Sequence, residues 1–244
     1  MSPEDLDAAI TPKTKWLIMN SPSNPSGAAY TREDLKALTD VLMGHDQVWI
    51  LTDDIYEHIH WGDSPFCSLA TAVPDLKEQT VTINGVSKCY AMTGWRIGYA
   101  GGPAEVIKAM KTIQSQCTSN PCSVSQIAAT AALDGDQSCV TEMTAAYKER
   151  SDYIVEALNS IPGFECRMGE GAFYAFPRVT GAIETLGFKD DFELVERVLN
   201  EAIVVMVPGS PFGSPGYVRI SFACSIPELE EAVKRIKNVL SQAL

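Results

Sequence analysis

No two cysteines of this 244-residue sequence stand in a CxxC arrangement, and histidine occurs three times in all. Zinc-ribbon and zinc-finger spacings are therefore excluded, and no metal site is expected. The seven cysteines (Cys67, Cys89, Cys117, Cys122, Cys139, Cys166 and Cys224) are odd in number and scattered singly. That distribution implies reduced thiols packed as small hydrophobes in a cytoplasmic setting. No apolar run approaches the ~20 residues that span a bilayer. The opening MSPEDLDAAITPK is polar and acidic, without the apolar centre of a signal peptide. Positive charge is scarce: 19 Lys and Arg stand against 31 Asp and Glu, a net charge of -12. A nucleic-acid partner would need a basic footprint and is excluded. A small anionic ligand is not, because a few local arginines decide that. Internal repeats and low-complexity segments are absent.

What is present is ordinary for a globular protein: 45% hydrophobic and 20% charged residues. The length suffices for one large domain or two modest ones.

The chain is organised around Thr80–Gly102, TVTINGVSKCYAMTGWRIGYAGG. Val81 and Ile83 read as a buried strand running out into a turn at Asn84-Gly85, with Lys88 just beyond. Lysine usually occupies solvated helix faces, so an amine among small residues at a strand end is unusual. If apolar neighbours desolvate it, its pKa falls and the neutral amine can attack a carbonyl, giving a Schiff base. Arg96 adds a cation suited to phosphate. Cys89, beside Lys88, reads as packing rather than as a nucleophile.

Other segments carry polar groups to strand ends. Lys15–Asn20 reads as a buried parallel strand ending in SPSNPSG, whose prolines and glycine force a rigid loop with a possible cis X-Pro bond. Thr31–Asp34 reads as a capped helix start, followed by Leu35, Leu38 and Leu42 at helical spacing. Val48–Thr52 is the next strand, ending in Asp53-Asp54-Ile55-Tyr56. Ligands of open α/β sheets gather at such carboxyl ends, and two acids there are costly to bury without a cation. Gly101-Gly102-Pro103 opens a helix with Val106, Ile107, Met110 and Ile113 on one face. Helices follow over 122–134 and 137–160. Phe164–Met168, Gly171–Phe176 and Ile203–Val207 are strand-like runs. In the strand Tyr217–Ala223, Val218, Ile220 and Phe222 face one way, with Arg219 and Ser221 opposite. An arginine so placed ordinarily marks an exposed face. A final amphipathic helix starts at Ser225–Glu228.

The Lys88 stretch resembles the lysine segment of the class I (fold type I) aminotransferases, which bind pyridoxal 5'-phosphate. The family pattern S-K-x-x-x-x-x-G-x-R appears as Ser87, Lys88, Gly94 and Arg96. Met92–Arg96 is similar to the branch with the bacterial aspartate and aromatic aminotransferases. N-P-x-G appears as Asn24–Gly27, D-x-x-Y as Asp53 and Tyr56, S-N-P as Ser119–Pro121, and R-x-[SN] as Arg219 and Ser221.

The resemblance implies a role for each position. Lys88 carries the cofactor and later moves the substrate α-proton. Asp53 keeps the pyridine nitrogen protonated, and Tyr56 and Asn24 donate to the phenolic oxygen. Arg96, helped by Ser87, binds the phosphate. Arg219 grips the substrate α-carboxylate, with Asn24 near it. Asp54 fits the register less well than Asp53. Ser115 stands where some aspartate aminotransferases have the arginine that reads a side-chain carboxylate, so this segment supports no dicarboxylic preference.

The implied fold is α/β: a mostly parallel, N-terminally incomplete sheet with helices over residues 1–147, then a small α+β domain over 148–244. The implied activity is transfer of an amino group from an L-amino acid, aspartate by overall resemblance, to a 2-oxo acid such as 2-oxoglutarate, by a homodimer. The matching region begins just ahead of the N-P-x-G strand, so the chain reads as the C-terminal portion of a longer enzyme. Such a portion is expected to expose a sheet edge and an apolar face, and to aggregate or be inactive. A carbon–sulfur β-lyase on the same scaffold and a non-catalytic fragment are the alternatives.

Overall fold

The computed structural model describes residues 1–242. Contacts divide the chain into two units: Met1–Pro22 with Ala29–Met143, and Ser23–Ala28 with Thr144–Leu244.

The first unit is built on a four-stranded sheet in the order β1-β2-β3-β4: β1 Trp16–Asn20, β2 Trp49–Asp53, β3 Thr80–Gly85 and β4 Gly98–Gly101. The first three strands are parallel and β4 is antiparallel to β3. The register sets Asn20 beside Asp53 and Asp53 beside Ile83, so the carboxyl ends of the parallel strands lie level. Helix α1 (Pro3–Ala9) and helix α2 (Arg32–Leu42) each start with a full capping box, Ser2 with Asp5 and Thr31 with Asp34. The spacing of Leu35, Leu38 and Leu42 turns all three to one face of α2, where they join Leu6, Met19, Val48 and Ile50 in the core. Full burial of each such side chain is worth about 1.5–3 kcal/mol. A single helical turn, α3 (Leu69–Ala72), adds Leu69 and Ala72 to the same cluster.

Asn84 and Gly85 are strand, not turn: they pair with Tyr99 and Gly98 of β4. Asn-Gly is a strong turn signal by local conformation, but here the ladder with β4 overrides it. Glycine at 85 answers a close approach, since a Cβ there would lie 2.9 Å from the Ile97 carbonyl oxygen. The turn comes later, at Ser87–Tyr90, and carries Lys88.

Helix α4 (Ala104–Cys117) forms where expected, yet none of its residues is buried. Met110 and Ile113 are exposed, as are Val124, Ile127 and Leu133 on α5 (Ser123–Asp134). β1 is parallel as expected but is an edge strand rather than a buried one: of its five residues only Met19 is buried, and Trp16 and Ile18 are exposed. The apolar face and the sheet edge expected from the sequence are both present.

The long helix α6 (Ser138–Asn159) passes from the first unit into the second. The second unit holds a small antiparallel sheet in the order β5-β7-β6, with β5 Tyr174–Ala175, β6 Val207–Pro208 and β7 Val218–Ser221. Helices α7 (Thr180–Leu186), α8 (Asp191–Ala202) and α9 (Ile226–Gln242) complete it. Val218, Ile220 and Phe222 are buried, as their alternation predicts. All three strand-like runs are much shorter than expected, and Gly171–Phe176 keeps only Tyr174–Ala175 as strand. Phe164–Met168 contributes only a bridge from Glu165 to Arg178. Ile203 takes a left-handed conformation (φ 54°) to end α8, which delays pairing until Val207. Apolar composition marks burial, but pairing also needs a neighbouring strand in reach.

Candidate active site

In the first unit, Asp53 is the last residue of β2, and Tyr56 follows in the turn beyond it. Asn20 of the adjacent strand fixes this end by donating its side-chain N–H to the Asp53 carbonyl oxygen at 2.9 Å. The Asp53 carboxylate is half-buried and accepts the Ile55 N–H at 3.2 Å. Burial raises its pKa, opposed by the Ile55 hydrogen bond and by the charge of Lys88. Lys88 Nζ lies over the buried Tyr56 ring, 5.8 Å from its centroid. Lys88, Asp53 and Tyr56 are thus gathered by the ends of β2 and β3, with the amine over a ring and its charge felt by the Asp53 carboxylate, rather than against a purely apolar wall.

Asp54 lies deeper, only 4% exposed. Burial pushes its carboxyl up to about 7; Thr52 opposes the shift by hydrogen bonding, and the charges of Glu57 and Asp53 add to it. Glu57 in turn accepts the Asn84 side-chain N–H and lies 3.2 Å from His58. Burial also pushes the Cys89 thiol up to about 11, which leaves it an inert packing group.

Ser87 and Lys88 share the turn after β3. Arg96 is exposed, in a left-handed conformation (φ 54°), and its Nη1 donates to the Thr93 carbonyl oxygen at 2.9 Å. Ser115 is exposed on α4 and bonds back to Thr112, and Ser119–Pro121 forms the link to α5.

The second unit brings Arg219 and Asn24 together. Arg219 Nη1 donates to Asn24 Oδ1 at 2.8 Å. The loop bearing Asn24 has cis bonds at Ser21-Pro22 and Asn24-Pro25. Gly27 closes that loop with φ 70°, and its carbonyl oxygen accepts the N–H groups of Glu170 and Gly171. A Cβ on Gly27 would meet the Gly171 carbonyl oxygen at 2.9 Å, so glycine is required. The Arg219 face of the small sheet is not bare. Its guanidinium carbon lies over the rings of Tyr174 (4.7 Å) and Phe212 (5.2 Å). Phe176 stacks on Tyr217 and meets Phe212 edge-on. Alternation put Arg219 opposite Val218 and Ile220 but did not show these aromatics; the closely spaced rings of GAFYAF signal Tyr174 and Phe176, while Phe212 and Tyr217 lie outside that run.

The first unit holds an amine over a phenol ring, with a half-buried carboxylate that feels its charge, and the second holds an arginine bonded to an amide. The comparisons decide the family. The family model for aminotransferase class I and II matches residues 1–236. The chain belongs to the class I and II aminotransferases. It is 53% identical to the aspartate/prephenate aminotransferase of Nitrosomonas europaea, over 99% of this chain and 62% of that protein. It is 49% identical to the aspartate aminotransferase of Bacillus subtilis, over 99% of this chain and 61% of that protein. The crystal structure of the Rhizobium meliloti aspartate aminotransferase superposes with a TM-score of 0.94 at 48% identity, covering 99% of this chain and 62% of that one. The aromatic aminotransferase of Pyrococcus horikoshii gives 0.91 at 37% identity, covering 99% and 64%. This aminotransferase chain therefore spans about three-fifths of the length of the relatives it matches.

Pyridoxal 5'-phosphate is the cofactor that membership implies, and the donor set of the first unit fits it. Lys88 offers an amine for an aldehyde. Asp53, a half-buried carboxylate held by one backbone N–H, suits a protonated ring nitrogen. Tyr56 offers a phenol, and Ser87 and Arg96 offer a hydroxyl and a guanidinium for phosphate.

Proposed function

We propose that this chain serves pyridoxal-phosphate-dependent transfer of an amino group from an L-amino acid, aspartate first, to a 2-oxo acid such as 2-oxoglutarate. The observation that carries the reading is the gathering of Lys88 Nζ, the Asp53 carboxylate and the Tyr56 ring at the ends of two adjacent strands. When bound, the cofactor supplies an electron sink for negative charge developing at the substrate α-carbon. Lys88 holds the cofactor and moves the α-proton as general base and acid. Asp53 keeps the ring nitrogen protonated, and Tyr56 donates to the phenolic oxygen. Arg96 and Ser87 hold the phosphate.

Arg219 grips the α-carboxylate with its planar fork. Arginine only donates, so the amide oxygen of Asn24 faces it; the resemblance gives the Asn24 amide N–H to the phenolic oxygen. The names of the relatives, aspartate and aspartate/prephenate aminotransferase, support aspartate as donor and add prephenate as an acceptor to assay.

The division into a cofactor-binding domain through residue 147 and a small domain from 148 belongs to the same reading. So does a homodimer, supported by the exposed apolar side chains of α4 and α5. A cytoplasmic setting is supported by seven free cysteines, although only Cys67, Cys89 and Cys166 are buried as expected, and Cys117, Cys122 and Cys139 are exposed rather than packed. No helix among the described residues is long and apolar enough to cross a membrane.

Titration of the purified chain with pyridoxal phosphate tests the reading, with Lys88→Ala as control. A visible absorption band is expected in the native chain and not in the variant; oxaloacetate and glutamate formed from aspartate and 2-oxoglutarate would overturn the expected inactivity of the chain. Equal bands in both would remove Lys88 from its role. Pyruvate and ammonia as products from a cysteine-type substrate would favour the β-lyase.

A further inference from the structure

The turn from Gly209 to Gly216 carries Phe212 to Arg219, and a buried acid holds that turn at both ends. Asp191, the first residue of α8, is 1% exposed. Its Oδ2 accepts the Ser210 N–H at 2.8 Å and its Oδ1 accepts the Ser210 hydroxyl at 2.7 Å. The Gly216 N–H reaches Oδ1 at 3.5 Å. Asp191 is not needed to start the helix, because Asp190 caps it by accepting the Glu193 N–H. Burial raises the Asp191 carboxyl, but the Ser210 and Gly216 donors outweigh it and hold the carboxyl below its ordinary range, so the acid stays charged on the turn.

The outcome is a turn held at both ends, and the side chain it lays on a charged group is Phe212. The Phe212 ring is braced edge-on by Phe176 at 6.3 Å and lies 5.2 Å from the Arg219 guanidinium carbon. The second ring over that guanidinium, Tyr174, is held in β5. A guanidinium over ring faces can meet new partners only along its N–H edge, and here one Nη1 bond is already given to Asn24.

We propose that Phe212, and Asp191 acting through Ser210, are positioning residues for Arg219: the anchored turn lays a ring on the guanidinium so that its N–H edge is presented to a substrate carboxylate. This rests on the reading of Arg219 as the carboxylate-binding residue. The role is separate from the chemistry at Lys88 and needs no cofactor to observe.

The test is the Arg219 Nε–H signal of the full chain in ¹⁵N NMR, followed by titration with 2-oxoglutarate. In the native chain its order parameter is expected near that of rigid backbone, about 0.85, and in Phe212→Leu below about 0.6. Phe212→Tyr, which keeps the ring, restores it. The dissociation constant for 2-oxoglutarate rises about 2- to 30-fold in Phe212→Leu, the loss of one cation–π contact. Phe212 is partly exposed, so leucine there leaves the fold intact. Ser210→Ala, which loosens the anchor without touching the ring, is the second variant and lowers the order parameter in the same direction. An unchanged order parameter in Phe212→Leu, or no rescue by tyrosine, overturns the proposal. If Arg219→Ala binds 2-oxoglutarate as tightly as the native chain, the carboxylate reading itself fails. If Arg219→Ala binds weakly and Phe212→Leu normally, only the positioning role fails.

Discussion

Arg219 Nη1 donates to Asn24 Oδ1 at 2.8 Å, joining residues far apart in sequence by a charge-assisted hydrogen bond. The bond leaves the guanidinium its full positive charge, because the acceptor is a neutral amide. Asparagine is therefore the right partner for an arginine that must still bind an anion.

Asn24→Asp should reverse that advantage. A carboxylate at this position would pair with Arg219 and compete with the substrate for it. A charge-assisted bond is worth about 1.5–3 kcal/mol, so KM for both the amino acid and the 2-oxo acid should rise about 10- to 100-fold. Steady-state kinetics at several substrate concentrations measure this. An unchanged KM with only kcat reduced would assign Asn24 to the cofactor alone.

Asp54 gives the first unit a pH-dependent stability. Its carboxyl titrates at 3.8 in an ordinary environment and at about 7 when folded. The folded chain thus binds this proton more tightly than the unfolded chain between those values. Unfolding free energy then falls as pH rises from about 4 through 7, by up to about 4 kcal/mol from this group. Asp53, also raised, acts in the same direction. Asp54→Asn isolates the larger effect: denaturant midpoints should decline less between pH 5 and pH 8 than in the native chain. Parallel declines would show that Asp54 is already ionised when folded.

The capping box of α2 offers a local test. Asp34 N–H donates to Thr31 Oγ1 at 3.1 Å, and Thr31 N–H donates to Asp34 Oδ2 at 2.9 Å. Thr31→Ala removes one half and orphans a helix donor, at a cost of about 1 kcal/mol. Because α2 packs Leu35, Leu38 and Leu42 into the core, the loss should appear in cooperative unfolding rather than as local fraying. Thr31→Ser should recover most of it.

The strands that matter most were legible because each is a short apolar run stopped by turn-forming residues. Met19 and Ile50 are buried where such runs predict, and Asn20 and Asp53 stand at their ends. Helix α2 was legible from one box and three leucines. Other features depend on groups distant in sequence. Asn84-Gly85 reads locally as a turn, and only β4 makes it strand. Alternation put Arg219 opposite Val218 and Ile220, but nothing in that pattern shows Tyr174 or Phe212 over its guanidinium. Asp191 is one acid in an acidic helix start until Ser210 folds onto it.

The β1 edge supplies the last prediction. Among the described residues β1 pairs only with β2, and its Ile18 side chain is 71% exposed beside an exposed Trp16. An open edge carrying apolar side chains is a template for pairing with another chain. Lysine is the common natural guard of such edges, because pairing would force its charge out of water. Ile18→Lys should therefore lower the aggregation rate of the purified chain in light scattering. The unfolding midpoint should stay within about 0.5 kcal/mol of native, since Ile18 contributes little to the core. If aggregation is unchanged, the exposed apolar side chains of α4 and α5 become the site to alter, with Ile113→Lys and Ile127→Lys as the next variants.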